Sequence, residues 1–156
     1  MSAAAVDIVI VSYNTREILV GCLTSLFASP PARMARVFVV DNASTDGSVE
    51  AVRQAWPAVE IEALDRNVGF GAANNVAIRA ATAPLVLLLN SDTLVPAGAV
   101  DGLAARLEAT GAVAAGPKLV DGHGRIEISY GAMLSPVSEL AQKVRGRIAL
   151  GRGAWA

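Results

Sequence analysis

The sequence predicts an α/β protein of Rossmann-like type, with a mostly parallel sheet flanked by helices. Short runs rich in Val, Ile and Leu alternate along the chain with amphipathic stretches, which is the pattern of strands connected by covering helices. The first of these runs is apolar on both faces, as buried parallel strands are. The 156 residues are 53% hydrophobic and 17% charged, which suits one well-filled core and excludes intrinsic disorder.

The first half of the chain predicts two strand–helix units and a third strand. Asn14 or Thr15 is placed to cap the first helix, because both residue types are favoured at helix N-termini. Residues 59–64 alternate apolar and polar, which indicates a strand with one wetter face near a sheet edge. The predicted elements are, in order, a strand at 7–12, a helix ending before Pro30, a strand at 36–41, a helix at 47–55 and the strand at 59–64.

The second half predicts a glycine-containing loop followed by further strand–helix pairs. Residues 84–89 form the most hydrophobic run, and this strand is therefore expected at the centre of the sheet. The helix before it is built from small residues and can pack close to the sheet. The predicted elements are a helix at 72–81, a strand at 84–89, a helix at 96–109, a strand at 112–117, a hairpin turn at 121–124 and a strand at 125–129.

Composition excludes several functional classes. Thirteen basic and fourteen acidic residues give a net charge of -1, which argues against a nucleic-acid partner. Cys22 is the only cysteine, so an internal disulfide is impossible and a reducing compartment is expected. The longest uncharged apolar run, at 83–89, is far shorter than the roughly 20 residues that cross a bilayer. Asp7 interrupts the apolar N-terminus, which disfavours a secretory signal, and a cytoplasmic protein is expected.

The charge distribution separates residues 138–156 from residues 1–137. Residues 1–137 carry nine basic and thirteen acidic groups, whereas residues 138–156 carry four basic groups and Glu139 alone as an acid. Leu140, Val144 and Ile148 recur at helical spacing among these basic groups. A basic amphipathic helix of this kind can lie on an anionic membrane surface. The alternative is that its apolar stripe packs on protein or that the tail is frayed.

Polar residues follow three of the predicted strands directly. In open α/β sheets, ligands bind beyond the carboxyl ends of the strands, where the strand order reverses. A carboxylate at the position of Asp41 can accept hydrogen bonds from a base imide or a ribose hydroxyl. Asp92 follows the most hydrophobic strand, where one carboxylate and substrate phosphates together suit Mg²⁺. The alternative is that these residues serve only as turn and cap residues. The three groups are Ser12, Tyr13 and Asn14; Asp41 and Asn42; and Asn90, Ser91 and Asp92.

Two other features have weaker chemical implications. The pair Gly69 and Gly71 matches a dinucleotide-binding fingerprint poorly, because Asn74 stands at the third glycine position and the motif follows the third strand. The loop still suits a phosphate-bearing ligand at a helix N-terminus, unless its glycines serve only the turn. His123 lies between two glycines, which favours a solvated turn over a catalytic base. Cys22 falls on the inward face of the first helix and is expected to be a small core residue.

Four sequence blocks, taken in order, carry a resemblance to a known family. Together they resemble the N-terminal signature of family 2 glycosyltransferases with the GT-A fold, especially the rhamnosyltransferase-like branch. The similarity extends over about residues 6–129. The blocks are Ile8-Val-Ile-Val-Ser-Tyr-Asn14, Val39-Val-Asp-Asn-Ala-Ser-Thr-Asp-Gly-Ser48, Arg66-Asn-Val-Gly-Phe-Gly-Ala-Ala-Asn-Asn75 and Leu87-Leu-Leu-Asn-Ser-Asp-Thr93.

The resemblance implies an inverting transferase that uses a nucleotide-diphosphate sugar, dTDP- or UDP-linked, and a divalent cation, Mg²⁺ or Mn²⁺. Asn90 stands where the family's metal-binding element has its first acid, which leaves Asp92 as the one metal-binding carboxylate. The positions that match the nucleotide-sugar site are Ser12, Tyr13, Asn14, Asp41, Asn67, Asn75 and Asn90.

The resemblance also implies an acceptor-binding half with an acidic general base, and nothing in residues 130–156 matches it. Residues 1–137 are therefore expected to form the nucleotide-sugar-binding core, apparently truncated, with residues 138–156 as a basic tail or the start of a missing acceptor half. No catalytic residue is assigned. The acceptor implied is a glycan or a lipid-linked sugar, and the tail would then contact the inner face of the plasma membrane.

Two other functions remain as alternatives. One is a non-catalytic module for nucleotide-sugar binding or assembly. The other is a nicotinamide-dependent Rossmann oxidoreductase, although Tyr13 and Asn14 stand after the first strand where that class has glycines.

Overall fold

A computed structural model of the chain describes residues 3–121 and 125–127. These residues fall in two compact units, one ending at Ala115 and the other beginning at Gly116. The elements of the first unit are β1 (Val6–Ser12), α1 (Arg16–Ala28), β2 (Met34–Asp41), α2 (Ser48–Ala55), β3 (Glu60–Ala63), α3 (Phe70–Ala80), β4 (Leu85–Asn90) and α4 (Ala99–Thr110). The elements of the second unit are β5 (Leu119–Val120) and β6 (Ile126–Glu127).

The four strands of the first unit form a parallel sheet in the order β3-β2-β1-β4. The sheet and its flanking helices confirm the predicted fold class, and β3 lies at an edge as its alternating sequence predicts. The carboxyl ends of the strands are in register, so that Ser12 of β1 pairs with Asp41 of β2 and Val11 of β1 pairs with Asn90 of β4. The polar residues after β1, β2 and β4 are thereby brought to one edge of the sheet.

Among the residues that the structure describes, β4 lies at the other edge of this sheet, and the prediction that it is central was wrong for that part of the chain. Its residues alternate between half-buried and exposed, with Val86 and Leu88 exposed by 40% and 49%. The opposite face of β4 packs against the core, whereas α3 packs mainly on the other face of β1 and β2. The hydrophobicity of a strand therefore indicates how much of its surface can be buried. It does not determine the position of the strand in the sheet, which depends on the strands that it pairs with.

The sheet has a core on each face. On one face, α1, α2 and α4 cover Ile8 and Ile10, both fully buried. On the other face, α3 packs against Val9 of β1 through Ala73 and Ala77, which are also buried. The prediction of a small-residue helix that packs close to the sheet is confirmed. Full burial of each large aliphatic side chain contributes about 1.5–3 kcal/mol, so β1 and β2 are the strands that stabilise the unit most.

A buried ion pair connects the amino ends of the strands. Asp7 of β1 is fully buried, and its carboxylate accepts hydrogen bonds from Arg36 Nη2 at 2.9 Å and from the amides of Thr82 and Ala83 at 2.8 and 3.0 Å. Burial by itself raises the pKa of Asp7, but the Arg36 and amide hydrogen bonds outweigh it, and the pKa lies below its ordinary value. The Arg36 guanidinium also lies 4.7 Å from the ring centroid of Phe38.

The predicted strand at 112–117 was wrong. These residues are exposed and have no regular structure in the described chain. Ala, Val and Gly in this segment resemble a strand locally, but a strand is stable only when its backbone groups pair with a neighbour, and no described strand pairs with it. Helix α4 begins at Ala99 and not at Pro96, whose carbonyl accepts the Ala99 amide in a turn.

The second unit contains the predicted hairpin. β5 and β6 pair antiparallel, the Asp121 amide donates to the Arg125 carbonyl at 2.8 Å, and the Arg125 guanidinium contacts the Asp121 carboxylate at 2.7 Å. His123 and the tail at 138–156 lie outside the described residues. Among the residues that the structure does describe, no helix combines the length and the apolar character needed to cross a membrane.

Candidate functional site

An open pocket of about 430 Å³ lies at the carboxyl ends of β1, β2 and β4. The chain passes from β1 to β2 on one side and places β4 on the other side of β1, so this is the point where the strand order reverses. Ligand sites of open parallel sheets form at such points, because the connections diverge and leave a crevice. The lining residues are Val11, Tyr13, Asn42, Asn67, Gly69, Phe70, Asn90, Ser91 and Asp92.

Two aromatic side chains line the pocket and are half exposed. Tyr13 follows β1 and is 49% exposed, and Phe70 begins α3 and is 57% exposed. Large aromatic surfaces left open beside polar groups are suited to contact a planar base or the apolar face of a sugar ring. The pocket therefore combines apolar contact surface with hydrogen-bonding groups.

The end of β4 contributes Asn90, Ser91 and Asp92 to the pocket. The Thr93 amide donates to the Asn90 carbonyl at 3.2 Å, which closes a turn and directs the chain back over the end of the strand. The Cys22 thiol lies beneath, 3.7 Å from the same carbonyl. Burial raises the pKa of Cys22 to about 11, and the negative charge of Asp92 adds to the effect. Cys22 is thus a core thiol, as predicted, and not a nucleophile.

The single carboxylate of the pocket fits a cation that is also bound by phosphate oxygens of a ligand. Within residues 3–121 and 125–127, no three His, Cys, Asp or Glu side chains are grouped to hold a metal. Asp92 is the one carboxylate among the lining residues, and the Asn90 side chain is a further oxygen donor. Mg²⁺ and Mn²⁺ accept oxygen ligands, and Mg²⁺ is held by one or two carboxylates plus phosphates and water. Asp92 and Asn90 fit that role only when a phosphate ligand is present.

Asp41 lies beside the pocket, at the end of β2, and is only 2% exposed. Its Oδ2 atom accepts the Ser44 amide at 2.8 Å. Its Oδ1 atom is buried and has no hydrogen-bond partner among the described residues. A buried carboxylate oxygen without a donor is costly, at about 1–3 kcal/mol or more, so a ligand N–H or O–H that reached it would be bound favourably.

Ser12 and Asn14, both predicted to contact nucleotide, are engaged in contacts between loops. The Ser12 hydroxyl is 2.9 Å from that of Thr15. The Asn14 Oδ1 atom accepts the Thr45 amide at 2.8 Å, and the Asn14 amide donates to the Ser44 hydroxyl at 2.9 Å. Asn14 has a φ of 51°, which Asn tolerates better than most residues. The Ser12 contact lies within the loop after β1, and Asn14 joins that loop to the loop after β2.

Asp46 strengthens the same junction. Its carboxylate accepts the Arg16 amide at 2.8 Å at the start of α1, and the Ser48 amide and hydroxyl at 3.1 and 2.6 Å at the start of α2. The Ser48 hydroxyl is the main cause of a lowered pKa at Asp46, and the amides add to it. One carboxylate thus serves the free amides of two helix N-termini.

The predicted site residues therefore divide into three groups. Tyr13, Asn67, Asn90 and Asp92 share the pocket. Ser12, Asn14 and Asp41 lie in the adjoining strand ends and loops. Asn75 is exposed on α3 and does not line the pocket.

Five of the nine lining residues are not among the predicted site residues: Val11, Asn42, Gly69, Phe70 and Ser91. Asn42 and Ser91 were predicted only as polar residues at strand ends. Asn42 follows Asp41 directly in one of the four sequence blocks, so its position at a strand end was a usable signal. Phe70 lies within the glycine-containing block, but nothing in the sequence distinguishes an exposed Phe at a helix start from a core Phe.

Comparisons with known proteins support this description. Residues 7–143 match the family described as Glycosyl transferase family 2. The chain is 34% identical over 108 residues to the succinoglycan biosynthesis protein ExoO of Rhizobium meliloti, covering 69% of this chain and 31% of that protein. It is 31% identical over 121 residues to an N-acetylglucosaminyltransferase of Bradyrhizobium diazoefficiens, covering 74% of this chain and 25% of that protein.

Two solved structures are similar in fold. The S. aureus TarS fragment 1-349 in complex with UDP-GlcNAc superposes with a TM-score of 0.60 and 25% identity, covering 67% of this chain and 31% of that one. The mannosyltransferase PcManGT of Pyrobaculum calidifontis, in complex with GDP-Man and Mn²⁺, gives a TM-score of 0.55 and 30% identity, again covering 67% and 31%. The chain thus spans about a quarter to a third of the length of these four proteins. The match over most of the chain, the GT-A-like sheet and the pocket at its carboxyl edge together show that this chain belongs to glycosyl transferase family 2.

Proposed function

We propose that the pocket at the carboxyl edge of the sheet binds a nucleotide-diphosphate sugar as the donor for glycosyl transfer. The observation that carries the proposal is the convergence of Tyr13, Asn67, Asn90 and Asp92 on one pocket at the strand-order reversal of a family 2 chain. TarS and PcManGT, which share the fold, were solved with nucleotide sugars.

The nucleoside end of the donor is assigned to the ends of β1 and β2. The orphaned Oδ1 of Asp41 is an acceptor for the imide N–H of uracil or thymine, and Tyr13 supplies an aromatic surface for the ring. This assignment favours UDP- or dTDP-sugars. Because Asp41 is buried, its approach to a base requires the adjoining loops to move slightly.

The diphosphate end is assigned to the end of β4. Asp92 and Asn90 would hold Mg²⁺ or Mn²⁺ together with the phosphates. When bound, the cation neutralises charge on the departing diphosphate. The chain's own contribution is to fix the carboxylate of Asp92 at the sheet edge, and the N-terminus of α3 at Gly69 adds backbone amides that suit a phosphate.

The identity of the transferred sugar and that of the acceptor are proposals about the activity of the whole protein. Inverting transfer requires a base to remove the acceptor hydroxyl proton, and we assign that role to no residue of this chain. N-acetylglucosaminyl transfer is favoured by the Bradyrhizobium relative, and rhamnosyl or other hexosyl transfer by the four sequence blocks. A glycan or lipid-linked acceptor is consistent with ExoO, a succinoglycan biosynthesis protein. A comparison of the affinities for UDP-GlcNAc and dTDP-rhamnose distinguishes these two possible donors.

A non-catalytic binding module is the second candidate, because Asp92 is the only carboxylic acid that lines the pocket in the described chain. Hydrolysis or transfer of a donor sugar by the full protein distinguishes the two functions. The family match rules out the nicotinamide-dependent alternative.

The proposal is tested by calorimetric titration of the 156-residue chain with UDP and dTDP, with and without Mn²⁺. We expect Mn²⁺ to tighten binding, Asp92→Asn to remove most of that gain, and Asp41→Ala to weaken binding in both conditions. Asp65→Asn, in an exposed loop, is the matched control and should bind like the wild type. Absence of nucleotide binding by the wild type contradicts the donor site, and an Asp41→Ala variant indistinguishable from wild type contradicts the base assignment.

A further inference from the structure

We propose that Asn42 is a positioning residue. It holds residues 67–70, here called the glycine loop, which form one wall of the pocket. The structural part of this inference stands on the hydrogen bonds below. Its consequence for ligand binding rests on the proposed function.

The Asn42 side chain is buried and makes hydrogen bonds at both its amide nitrogen and its amide oxygen. Asn42 is 3% exposed, and its backbone amide donates to the Ser12 carbonyl at 2.8 Å, which fixes the residue beside β1. The Asn42 Nδ2 atom donates to Asn67 Oδ1 at 2.9 Å, and the Asn42 Oδ1 atom accepts the Val68 amide at 2.9 Å. Because both ends of the side-chain amide have partners of opposite kind, its orientation is defined.

Asn67 connects Asn42 to the next residues of the glycine loop. Its Oδ1 atom accepts the Gly69 amide at 2.9 Å as well as Asn42 Nδ2. Gly69 has a φ of 83°, which suits glycine, and its carbonyl accepts the Ala73 amide at 3.0 Å in the first turn of α3. Three hydrogen bonds thus connect the buried end of β2 to the start of α3, through the side chains of Asn42 and Asn67 and the backbone of Gly69.

Apart from a hydrogen bond from Asn74 Nδ2 to the Phe70 carbonyl at 2.9 Å, the glycine loop makes few other contacts among the described residues. Residues 67–70 are all exposed, including the side chains of Val68 and Phe70. A segment without apolar burial opens at low free-energy cost unless polar contacts close it. Asn67, Gly69 and Phe70 all line the pocket, so the hydrogen bond that Asn42 donates to Asn67 and the one that it accepts from Val68 set the shape of that wall.

Substitutions of Asn42 separate its two hydrogen bonds. Asn42→Ala removes both. Asn42→Asp keeps an acceptor for the Val68 amide but loses the donor to Asn67, whose amide must then rotate and leave the Gly69 amide without its acceptor. We expect Asn42→Ala to weaken UDP binding in the presence of Mn²⁺ by about tenfold, since each net hydrogen bond contributes a few-fold to such an equilibrium. Asn42→Asp also adds a negative charge that repels the diphosphate, so hydrogen exchange and not UDP affinity separates its effect on the two hydrogen bonds.

The experiment measures amide hydrogen exchange and UDP affinity on the 156-residue chain. Asn42→Ala should lose protection at the Val68 and Gly69 amides, whereas Asn42→Asp should lose it at Gly69 more than at Val68. Asn67→Ala should weaken UDP binding similarly, and the double variant should be no weaker than the weaker single variant, because the two residues act in one chain of hydrogen bonds.

Asp101→Asn is the matched control. The Asp101 carboxylate accepts the Ala32 and Arg33 amides at 2.9 and 3.0 Å near the opposite end of the sheet. The variant therefore loses one acceptor that holds a loop far from the pocket. It should lower the melting temperature without changing UDP affinity or the exchange of Val68 and Gly69.

Each outcome has a defined consequence. Unchanged protection of Val68 and Gly69 in Asn42→Ala overturns the positioning role, and so does a loss of UDP affinity of equal size in Asp101→Asn. If Asn42→Ala does not fold, the graded exchange in Asn42→Asp decides the matter in the same way. A wild type that binds no UDP contradicts the proposed function, while the exchange measurements still test the role of Asn42.

Discussion

Among single residues, Asp7 carries the most concentrated set of interactions in the described chain. Its fully buried carboxylate is shared by Arg36 and two amides of the loop before β4. Arg36 is one-third exposed and also donates to the Ala80 carbonyl and the Thr82 hydroxyl, so the charge left by Asp7→Asn is partly compensated. We expect Asp7→Asn to lower the free energy of unfolding by about 1.5–3 kcal/mol, the range for hydrogen bonds to a charged group. Urea denaturation at neutral pH measures this loss.

Glu60→Gln is the control for that variant. Glu60 also pairs with Arg36, at 3.6 Å, but it is half exposed on the edge strand. Its replacement should change stability by less than about 1 kcal/mol, as surface pairs do. A loss as large as that of Asp7→Asn would show that Arg36 acts through its charge rather than through the buried contact.

The same residue, Asp7, makes stability depend on pH. The pKa of Asp7 is lowered in the folded protein, so its contribution is fully present above the ordinary aspartate pKa of about 3.9 and is lost as the pH falls through the lower folded pKa. Asp46 and Glu108 also have lowered pKa values and act in the same direction. Denaturation curves between neutral pH and pH 3 should show falling stability, with a smaller slope in Asp7→Asn. An unchanged slope in that variant would contradict the assignment to Asp7.

Cys22 gives a probe of local opening. The thiol is 1% exposed and its pKa is raised to about 11 by burial, so very little thiolate is present or accessible at pH 8. A thiol-reactive dye should label the native chain at least tenfold more slowly than the urea-unfolded chain. Equal rates would show that α1 opens readily beneath the end of β4.

Among the secondary-structure elements, α3 shows how a small-residue face sets the distance between helix and sheet. Ala77 is 1% exposed against β1 and β2. Ala77→Leu forces extra atoms into this packed layer and should destabilise the chain by about 1–3 kcal/mol. Ala72→Leu, on the exposed side of the same helix, should be nearly neutral because leucine is a good helix former. Thermal denaturation of the two variants compares them directly, and equal losses would contradict close packing by Ala77.

β3 and β4 show what local sequence can and cannot predict about elements. The alternating residues of β3 predicted an edge strand, and the structure confirms it, because charged side chains such as Glu60 and Glu62 need a wet face. The uniformly apolar β4 predicted a central strand and is at the opposite edge. Charge on a strand restricts where it can lie, whereas apolarity does not specify which elements will cover it.

For the molecule as a whole, the basic tail at 138–156 remains a prediction. It lies outside the described residues, and its four basic groups outnumber its one acid. We expect salt-sensitive binding to vesicles that contain anionic lipid, because each basic residue near such a surface contributes about 1 kcal/mol and salt screens this attraction. Co-sedimentation of the full chain and of a chain lacking residues 138–156 tests it. Absence of binding at low salt would favour a tail that packs on protein.

The order of residues along the chain is enough to define the class of fold and the edge of the sheet at which the pocket lies. These follow from short-range physics: the periodicity of apolar residues selects strand or helix, and Asn, Asp and Ser after a strand mark its carboxyl end. Parallel strands necessarily bring those ends together, so the meeting of Tyr13, Asn90 and Asp92 in one pocket follows from the sequence pattern, whereas Asn67 was predicted only from the family resemblance.

The hydrogen-bond partners of the residues at this edge depend on how segments distant in the sequence pack together. Asn14 is occupied by the Thr45 amide, one oxygen of Asp41 is left without a partner in the described chain, and Asn42 holds the glycine loop. Such roles depend on contacts between residues some 25 to 31 positions apart, and hydrogen bonds require heavy-atom distances near 2.9 Å. A sequence specifies which groups are available, but their pairing at that precision is fixed only when the packed sheet and its loops bring those segments together.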